Sequence, residues 1–255
     1  MITEVLRTYG AWLPGAARSQ KSLVPEHAPI TGQGRNRLPV EYGRFHERAD
    51  RAVYVARRFV PYLRGKVLDV GCDRAVLKEL MPELDYWGID VSGTPDRIVD
   101  LEVENAIPFP DGSFDSVVCT DVLEHLDNLH RIFGELIRVS RRYVILSLPN
   151  NWTNARVPLA RGRGQIGHYG LPTDPPLDRH KWFFSLIEAE QFLNGQTAKH
   201  PFRIVELFAM ERPRPMSVRW MRRLISRSQR DYLNRYAHTL WAVLERSAIA
   251  NEPGR

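Results

Sequence analysis

Between Lys66 and Leu148 the chain switches repeatedly between two hydrophobic rhythms, and that alternation restricts the fold more than any other feature. The short apolar runs "KVLDV", "YWGIDV", "DRIVDL", "FDSVVCT" and "RYVILSL" read as strands, the first as one buried on both faces. Between them, "AVLKELM" reads as a helix stopped by Pro82. "NLHRIFGELIRVS" sets Leu129, Ile132, Phe133, Leu136 and Ile137 on one helical face. Strands and helices in this order build a parallel, doubly wound α/β sheet. Farther on, "SLIEAEQFLNG" reads as a helix and "FRIVELFAM" as a strand. "AHTLWAVLER" reads as a final strand, because Thr, Leu, Trp and Val suit one.

The flanks are less regular. Residues 1–43 carry scattered prolines and glycines and read as an irregular arm ahead of a single domain, 44–255. A helix is expected over Arg44–Leu63, closed by Pro61 and Gly65. From Pro149 to Lys181 the pattern lapses into Gly, Pro, Asn and Arg. A loop of that length in a compact domain is usually functional or disordered, so a lid-like insertion is expected at about 150–182. "MSVRWMRRLISRSQRDYL" reads as one basic amphipathic helix, at about 215–233.

Composition excludes several classes. No apolar run reaches the length of a bilayer span, and the N-terminus lacks the pattern of a secretory signal. Two cysteines, Cys72 and Cys119, form no disulfide framework and fit a reducing, cytoplasmic location. The net charge of +6 is concentrated at the C-terminus, where ten arginines from Arg212 onward face Asp231, Glu245 and Glu252. Such a segment attracts anionic partners or serves as a solvated face.

The turn after the first buried strand is "GCDRA". A dinucleotide site would place G-x-G-x-x-G there, so that bare amides cradle pyrophosphate. Here Gly71 stands alone and Asp73 would repel a phosphate, which favours a cofactor with a positive end. Asp90 ends the next strand, at the spacing where an acid accepts ribose hydroxyls. Asp100 ends the third, where it can take a purine amine. Any one of these acids alone is more simply a cap or turn former. Three at consecutive strand ends, beside a glycine turn, favour a ligand carrying an ammonium, a diol and an amine.

In order, "VLDVGCD", "GIDVS", "VDLE", "IPFPDGSFDSVVCTDVLEHL" and "RYVILSLPN" resemble the class I S-adenosylmethionine-dependent methyltransferases of small-molecule type, whose first motif reads "DVGCGxG". The resemblance spans Val67 to Asn150. It implies a seven-stranded Rossmann-like sheet with an antiparallel last strand and helices on both faces. It implies S-adenosyl-L-methionine as cofactor, with Asp69, Gly71, Cys72 and Asp73 at its methionine end. Asp90 and Val91 would meet the ribose, Asp100 and Leu101 the adenine, and Cys119, Thr120 and Asp121 the pocket floor. The chain departs from the family where Asp73 and Ala75 replace glycines. Asp tolerates left-handed backbone and Ala75 is a small change, so the site is expected to survive.

Methyl transfer from a sulfonium is an in-line displacement that needs a base only if the acceptor must lose a proton. His125 follows the fourth strand, and His168, Asp178 and His180 sit in "GHYGLPTDPPLDRHKWFFS". The expectation is that His125 or His180 takes the acceptor proton, held by Asp178 or Glu124; a structural cap or loop hydrogen bond is the plainer role. Trp152, His168, Tyr169 and Arg179 are expected to meet the acceptor. At least two of Trp182, Phe183 and Phe184 are expected in the core. No metal ligands are assigned. The expected acceptor is a small molecule, methylated on a hydroxyl of a sugar or a lipid- or nucleotide-linked metabolite. RNA or protein methylation is the first alternative, although neither an appended RNA-binding module nor an "NPPY"-type segment is present, which makes nucleic acid the less favoured acceptor. A non-catalytic binding protein is the second. The basic helix can pack on the sheet, form a dimer face or touch an anionic membrane. Monomer and homodimer both stay open.

Overall fold

The computed structural model describes residues 37–174, 176 and 178–247. A central sheet of eight strands runs in the order β1-β7-β8-β6-β5-β2-β3-β4. The strands are β1 (Val40–Tyr42), β2 (Lys66–Val70), β3 (Asp85–Asp90), β4 (Arg97–Ile98), β5 (Phe114–Thr120), β6 (Ser140–Pro149), β7 (Phe202–Glu211) and β8 (Ala237–Arg246). All neighbours pair in parallel except β8, which lies antiparallel between β6 and β7. Helices α1 (Arg48–Arg58), α2 (Val76–Leu80), α3 (Leu101–Glu104), α4 (Leu129–Val139), α5 (Asn151–Arg161), α6 (Leu186–Gln196), α7 (Met216–Leu224) and α8 (Gln229–Tyr236) surround it.

Both faces of the sheet are covered, which is why its strands carry unbroken apolar runs. Ile132, Phe133 and Leu136 of α4 meet Leu68, Val117, Val144 and Ala242 in one core cluster. Val55 of α1 and Phe59, its C-cap, meet Val67, Ile145, Phe208 and Trp241 in the other. Each large side chain so buried contributes on the order of 2 kcal/mol.

The doubly wound architecture and antiparallel last strand agree with expectation; five details differ. First, the arm does not stay irregular to residue 43. Strand β1 adds to β7, secured where Pro39 and Glu211 carbonyls accept from Ala209 N–H at 2.9 Å and Gly43 N–H at 3.0 Å. Added to the seven strands expected, it makes eight. The preceding residues, 1–36, lie outside the described ones. Second, "DRIVDL" keeps only Arg97–Ile98 as strand, because Asp100 turns the chain into α3. Third, the expected lid begins with a real helix, α5. It is concealed in the sequence by Pro158 inside it and by a nearly absent apolar stripe. Fourth, the basic helix is two helices, since Ser228 accepts from Asp231 N–H at 3.0 Å and starts α8 afresh. The helix expected over 44–63 is also shorter, opening at a capping box of Glu47 and Asp50.

From β2 the chain winds outward through β3 to β4, then returns to place β5 and β6 on the other side of β2. The strand order reverses there, and a crevice opens beyond the carboxyl ends of β2 and β5.

Candidate active site

Val70 pairs with Ile89 and Cys119, and Asp90 with Ile98, so the ends of β2 to β5 stand side by side. Each acid of this wall has a donor from the protein. Tyr86 Oη donates to Asp69 Oδ2 at 2.9 Å. The N–H groups of Asp73 and Ser92 donate to the Asp90 carboxylate at 2.8 and 3.1 Å. Those of Glu102 and Val103 donate to Asp100 Oδ1 at 2.9 and 3.3 Å, so this acid does cap a helix. Burial raises the Asp69 carboxyl to about 7; the Tyr86 hydrogen bond works against the rise and the charge of Asp90 adds to it. Leu101 is buried and Val91 exposed.

The glycine turn is packed tightly. A Cβ on Gly71, at φ +78°, would meet Val122 at 2.3 Å, and one on Gly93 would meet the Asp73 carbonyl at 2.2 Å. That carbonyl accepts from Thr94 N–H at 2.8 Å, joining the first two loops. Asp73 and Ala75 both adopt left-handed backbone, at φ 49° and 52°. They have taken over the conformation that glycine normally supplies. For Ala75 that carries a steric cost, so the replacement is less innocent than its size suggests. The Asp73 carboxylate lies 3.8 Å from Arg48 of α1, so a cation already stands beside it. Cys72 and Cys119 are both buried; burial pushes the Cys72 thiol up to about 12 and Cys119 well above its ordinary value.

Beyond β5, Thr120 leads into Asp121, at φ +50°. Arg51 Nη2 pairs with Asp121 Oδ2 at 2.5 Å, and Ser147 Oγ donates to Oδ1. Sequence reasoning missed Arg51, which is one of several arginines on α1; nothing in the spacing distinguishes it. A 3₁₀ turn, Leu123–His125, follows. Across it lies the segment 179–182, whose Lys181 and Trp182 N–H groups donate to the Glu124 carbonyl at 2.8 and 3.3 Å. Lys181 Nζ reaches Glu102 and, at 2.9 Å, Asp127, while Trp182 Nε1 donates to the Leu126 carbonyl at 2.7 Å. This strap brings His180 against His125 across the chain.

Three imidazoles meet there. The His125 and His180 ring centres are 4.6 Å apart, and His168 stacks on His180 at 4.3 Å. His125 Nδ1 lies 3.1 Å from the Arg179 carbonyl, which can only accept, so Nδ1 carries the proton and Nε2 keeps its lone pair. His180 Nδ1 lies 3.1 Å from Asn151 Nδ2 and 3.4 Å from Tyr169 Oη. Burial lowers His125, and burial with the neighbouring His125 and His168 lowers His180 to about 3, so His180 is neutral near pH 7. Beneath them Glu124 is fully buried, and neither carboxylate oxygen has a hydrogen-bond partner among the described residues. Burial first, then the charge of Asp121, pushes its pKa well above the usual range.

The sequence-predicted residues divide accordingly. His125, His180, His168, Tyr169 and Glu124 converge. Asp178 does not hold His125 or His180; its carbonyl and carboxylate lie 3.2 and 3.3 Å from His168 Nδ1. Arg179 contributes its carbonyl while its side chain is exposed, and Trp152 is half-exposed on α5. At least two of Trp182, Phe183 and Phe184 were expected in the core, but only Phe184 packs against it; Trp182 and Phe183 remain exposed at 37% and 47%. Asn151 was missed. Its Oδ1 accepts from Phe184 N–H at 3.1 Å, which aims its amide nitrogen at His180. No metal was assigned from sequence, yet Glu124, His125 and His180 bring one potential ligand atom each to within 4.8 Å of one another.

Residues 44–195 match the family described as methyltransferase domain. No curated protein matches the sequence. Among solved structures, an S-adenosylmethionine-dependent methyltransferase from Archaeoglobus fulgidus is similar at 18% identity and TM-score 0.52, covering 78% of this chain and 95% of that one. The small RNA methyltransferase HEN1 shares 17% identity at TM-score 0.52; the match covers 84% of this chain but 27% of HEN1. Magnesium protoporphyrin IX methyltransferase from Synechocystis PCC 6803 shares 18% identity at TM-score 0.48, over 78% of this chain and 83% of that one.

Proposed function

The chain belongs to the methyltransferase domain family, and from that premise we propose that it methylates a hydroxyl of a small-molecule acceptor, with S-adenosylmethionine as donor. The observation that carries this reading is the pairing of an acid-rich crevice wall with a histidine cluster at neighbouring strand ends. Asp69 Oδ1 accepts no hydrogen bond among the described residues and suits an ammonium. Asp90 and Asp100, each already anchored by backbone N–H groups, suit a ribose diol and a purine amine. When bound, the cofactor supplies an electrophilic methyl on a sulfonium. The protein's part is to align the acceptor with that methyl and to remove its proton through the His125–His180 cluster.

Helix α7 favours a lipid-linked acceptor. It is turned inside out: Met216, Trp220, Met221, Leu224 and Ile225 are each more than half exposed. Its arginines instead stack on aromatic rings, with Arg219 4.4 Å from the Tyr42 ring centre, Arg222 4.4 Å from Tyr236 and Arg223 5.3 Å from Tyr232. An outward apolar stripe flanked by exposed Arg214 and Arg227 suits an anionic bilayer surface. Among the described residues no helix is long and apolar enough to cross a membrane.

Calorimetric titration with S-adenosylmethionine, and separately with its demethylated product, tests the cofactor. Micromolar binding is expected, and none at millimolar concentration overturns the reading. Sedimentation with phosphatidylserine liposomes tests the lipid arm. The expected binding falls on Trp220→Ala, and its absence at low salt removes the lipid-linked class. Salt-sensitive RNA binding, with no liposome binding, would favour an RNA acceptor instead.

A further inference from the structure

We propose that Glu124, His125 and His180 hold a divalent transition-metal ion beside the acceptor position. The strongest sign is Glu124. A fully buried carboxyl with neither oxygen hydrogen-bonded is rare in a folded protein, because burying an unpartnered polar group is costly. Two imidazoles stand next to it, and one potential ligand atom from each of the three residues lies within 4.8 Å of the others. An ion about 2.1 Å from each ligand would set them about 3.4 Å apart, so binding draws the three slightly together.

The surroundings are those a ligating histidine requires. Ligating imidazoles usually donate their other N–H to a fixed acceptor, which sets the tautomer. His125 already does so, through Nδ1 to the Arg179 carbonyl, with Nε2 free. His180 has both options. Asn151 Nδ2 satisfies an unprotonated Nδ1, whereas Tyr169 Oη can accept from a protonated one. The Tyr169 hydroxyl proton is engaged with the Trp182 carbonyl, so towards His180 this oxygen is an acceptor. Metal binding at Nε2 therefore moves the His180 proton to Nδ1 and exchanges the Asn151 contact for Tyr169. The strap is the structural device that delivers His180, through Lys181 and Trp182.

One carboxylate and two imidazoles select a borderline ion such as zinc, cobalt or iron over magnesium or calcium, and leave coordination positions open. Resting on the hydroxyl-acceptor reading above, an acceptor oxygen in an open position is polarised. With the ion bound, His125 and His180 would act as its ligands rather than as the base themselves: the acceptor O–H bond would break, the proton passing to water and the electron pair staying on the oxygen that is to be methylated.

The test is titration of the full, tag-free, chelator-treated protein with cobalt(II), read by visible absorption and by metal analysis after dialysis. One equivalent bound is expected, with visible bands of a nitrogen–oxygen site. Glu124→Gln, an uncharged isostere for a buried group, and His180→Asn should each weaken binding at least about a hundredfold, and Tyr169→Phe about tenfold. His130→Gln, outside the cluster, should bind as wild type. Thermal unfolding of the metal-free variants verifies that each is folded. No binding at micromolar metal, or binding that survives both Glu124→Gln and His180→Asn, overturns the proposal. Because metal binding is read without cofactor or acceptor, a protein that binds cobalt but transfers no methyl would defeat the functional reading and leave the metal site standing.

Discussion

The two walls of the crevice are in opposite polar states. On the wall built by β2, β3 and β4, every acid has a donor supplied by the protein, and the key contacts are local. Tyr86 reaches Asp69, and Asp90 holds Asp73, each across 17 positions. On the wall built by the 3₁₀ turn and its strap, the Glu124 carboxylate has no partner among the described residues, and His125 meets the Arg179 carbonyl across 54 positions. A satisfied wall is complete by itself and pre-organised for a ligand it can bind unaided. An unsatisfied wall carries a polar debt that something else must settle, and it is held in place by segments distant in sequence. On the function proposed above, the first wall would bind the cofactor and the second would carry the chemistry.

That contrast can be broken by separating affinity from turnover. His125→Ala should lower turnover about 10²- to 10⁴-fold while cofactor affinity changes less than about threefold. Single-turnover rates beside calorimetry read the split, and equal losses in both would erase the distinction between the walls. The converse variant, Asp90→Ala, should cost about 2–3 kcal/mol of cofactor affinity by removing charged hydrogen bonds to ribose and to the Asp73 turn. Unchanged affinity would move the ribose elsewhere.

A smaller effect follows from Asp69, whose carboxyl is raised by burial to about 7. The folded, unliganded protein keeps a proton there that the unfolded chain loses near its ordinary carboxyl value. This group therefore subtracts stability as pH rises from about 4 to 7. A cofactor ammonium needs the ionised form, so affinity should rise about tenfold from pH 6 to pH 8. Asp69→Asn should flatten that profile; a wild-type profile already flat would take the ammonium away from Asp69. The smallest effect concerns the turn itself. Ala75→Gly relieves left-handed strain and should raise stability by about 1 kcal/mol in chemical denaturation. A loss instead would show that the buried Ala75 methyl outweighs its backbone strain.

Particular residues show how far the sequence is readable. "KVLDV", "FDSVVCT" and "RYVILSL" were legible as strands because burial on both faces writes itself as an unbroken apolar run. The acids at the ends of β2, β3 and β4 were legible because strand ends of a doubly wound sheet converge on one crevice whatever the loops do. Helix α5 was hidden, since Asn151–Arg161 carries almost no apolar stripe and contains a proline. The partner of Asp178 was misassigned for a different reason. Which of three nearby histidines an acid reaches depends on the path of the loop, and composition does not encode a path.

The sequence by itself determined the sheet, the family and the order of the acids along the crevice, because periodicity and strand-end position are local properties. Only the tertiary structure decided that Arg51 would claim Asp121, that Lys181 and Trp182 would strap His180 onto His125, and that the Glu124 carboxylate would find no partner among the described residues. Those outcomes depend on which buried polar groups meet after the chain has closed on itself. A group's partner, unlike its period, is a property of the whole fold.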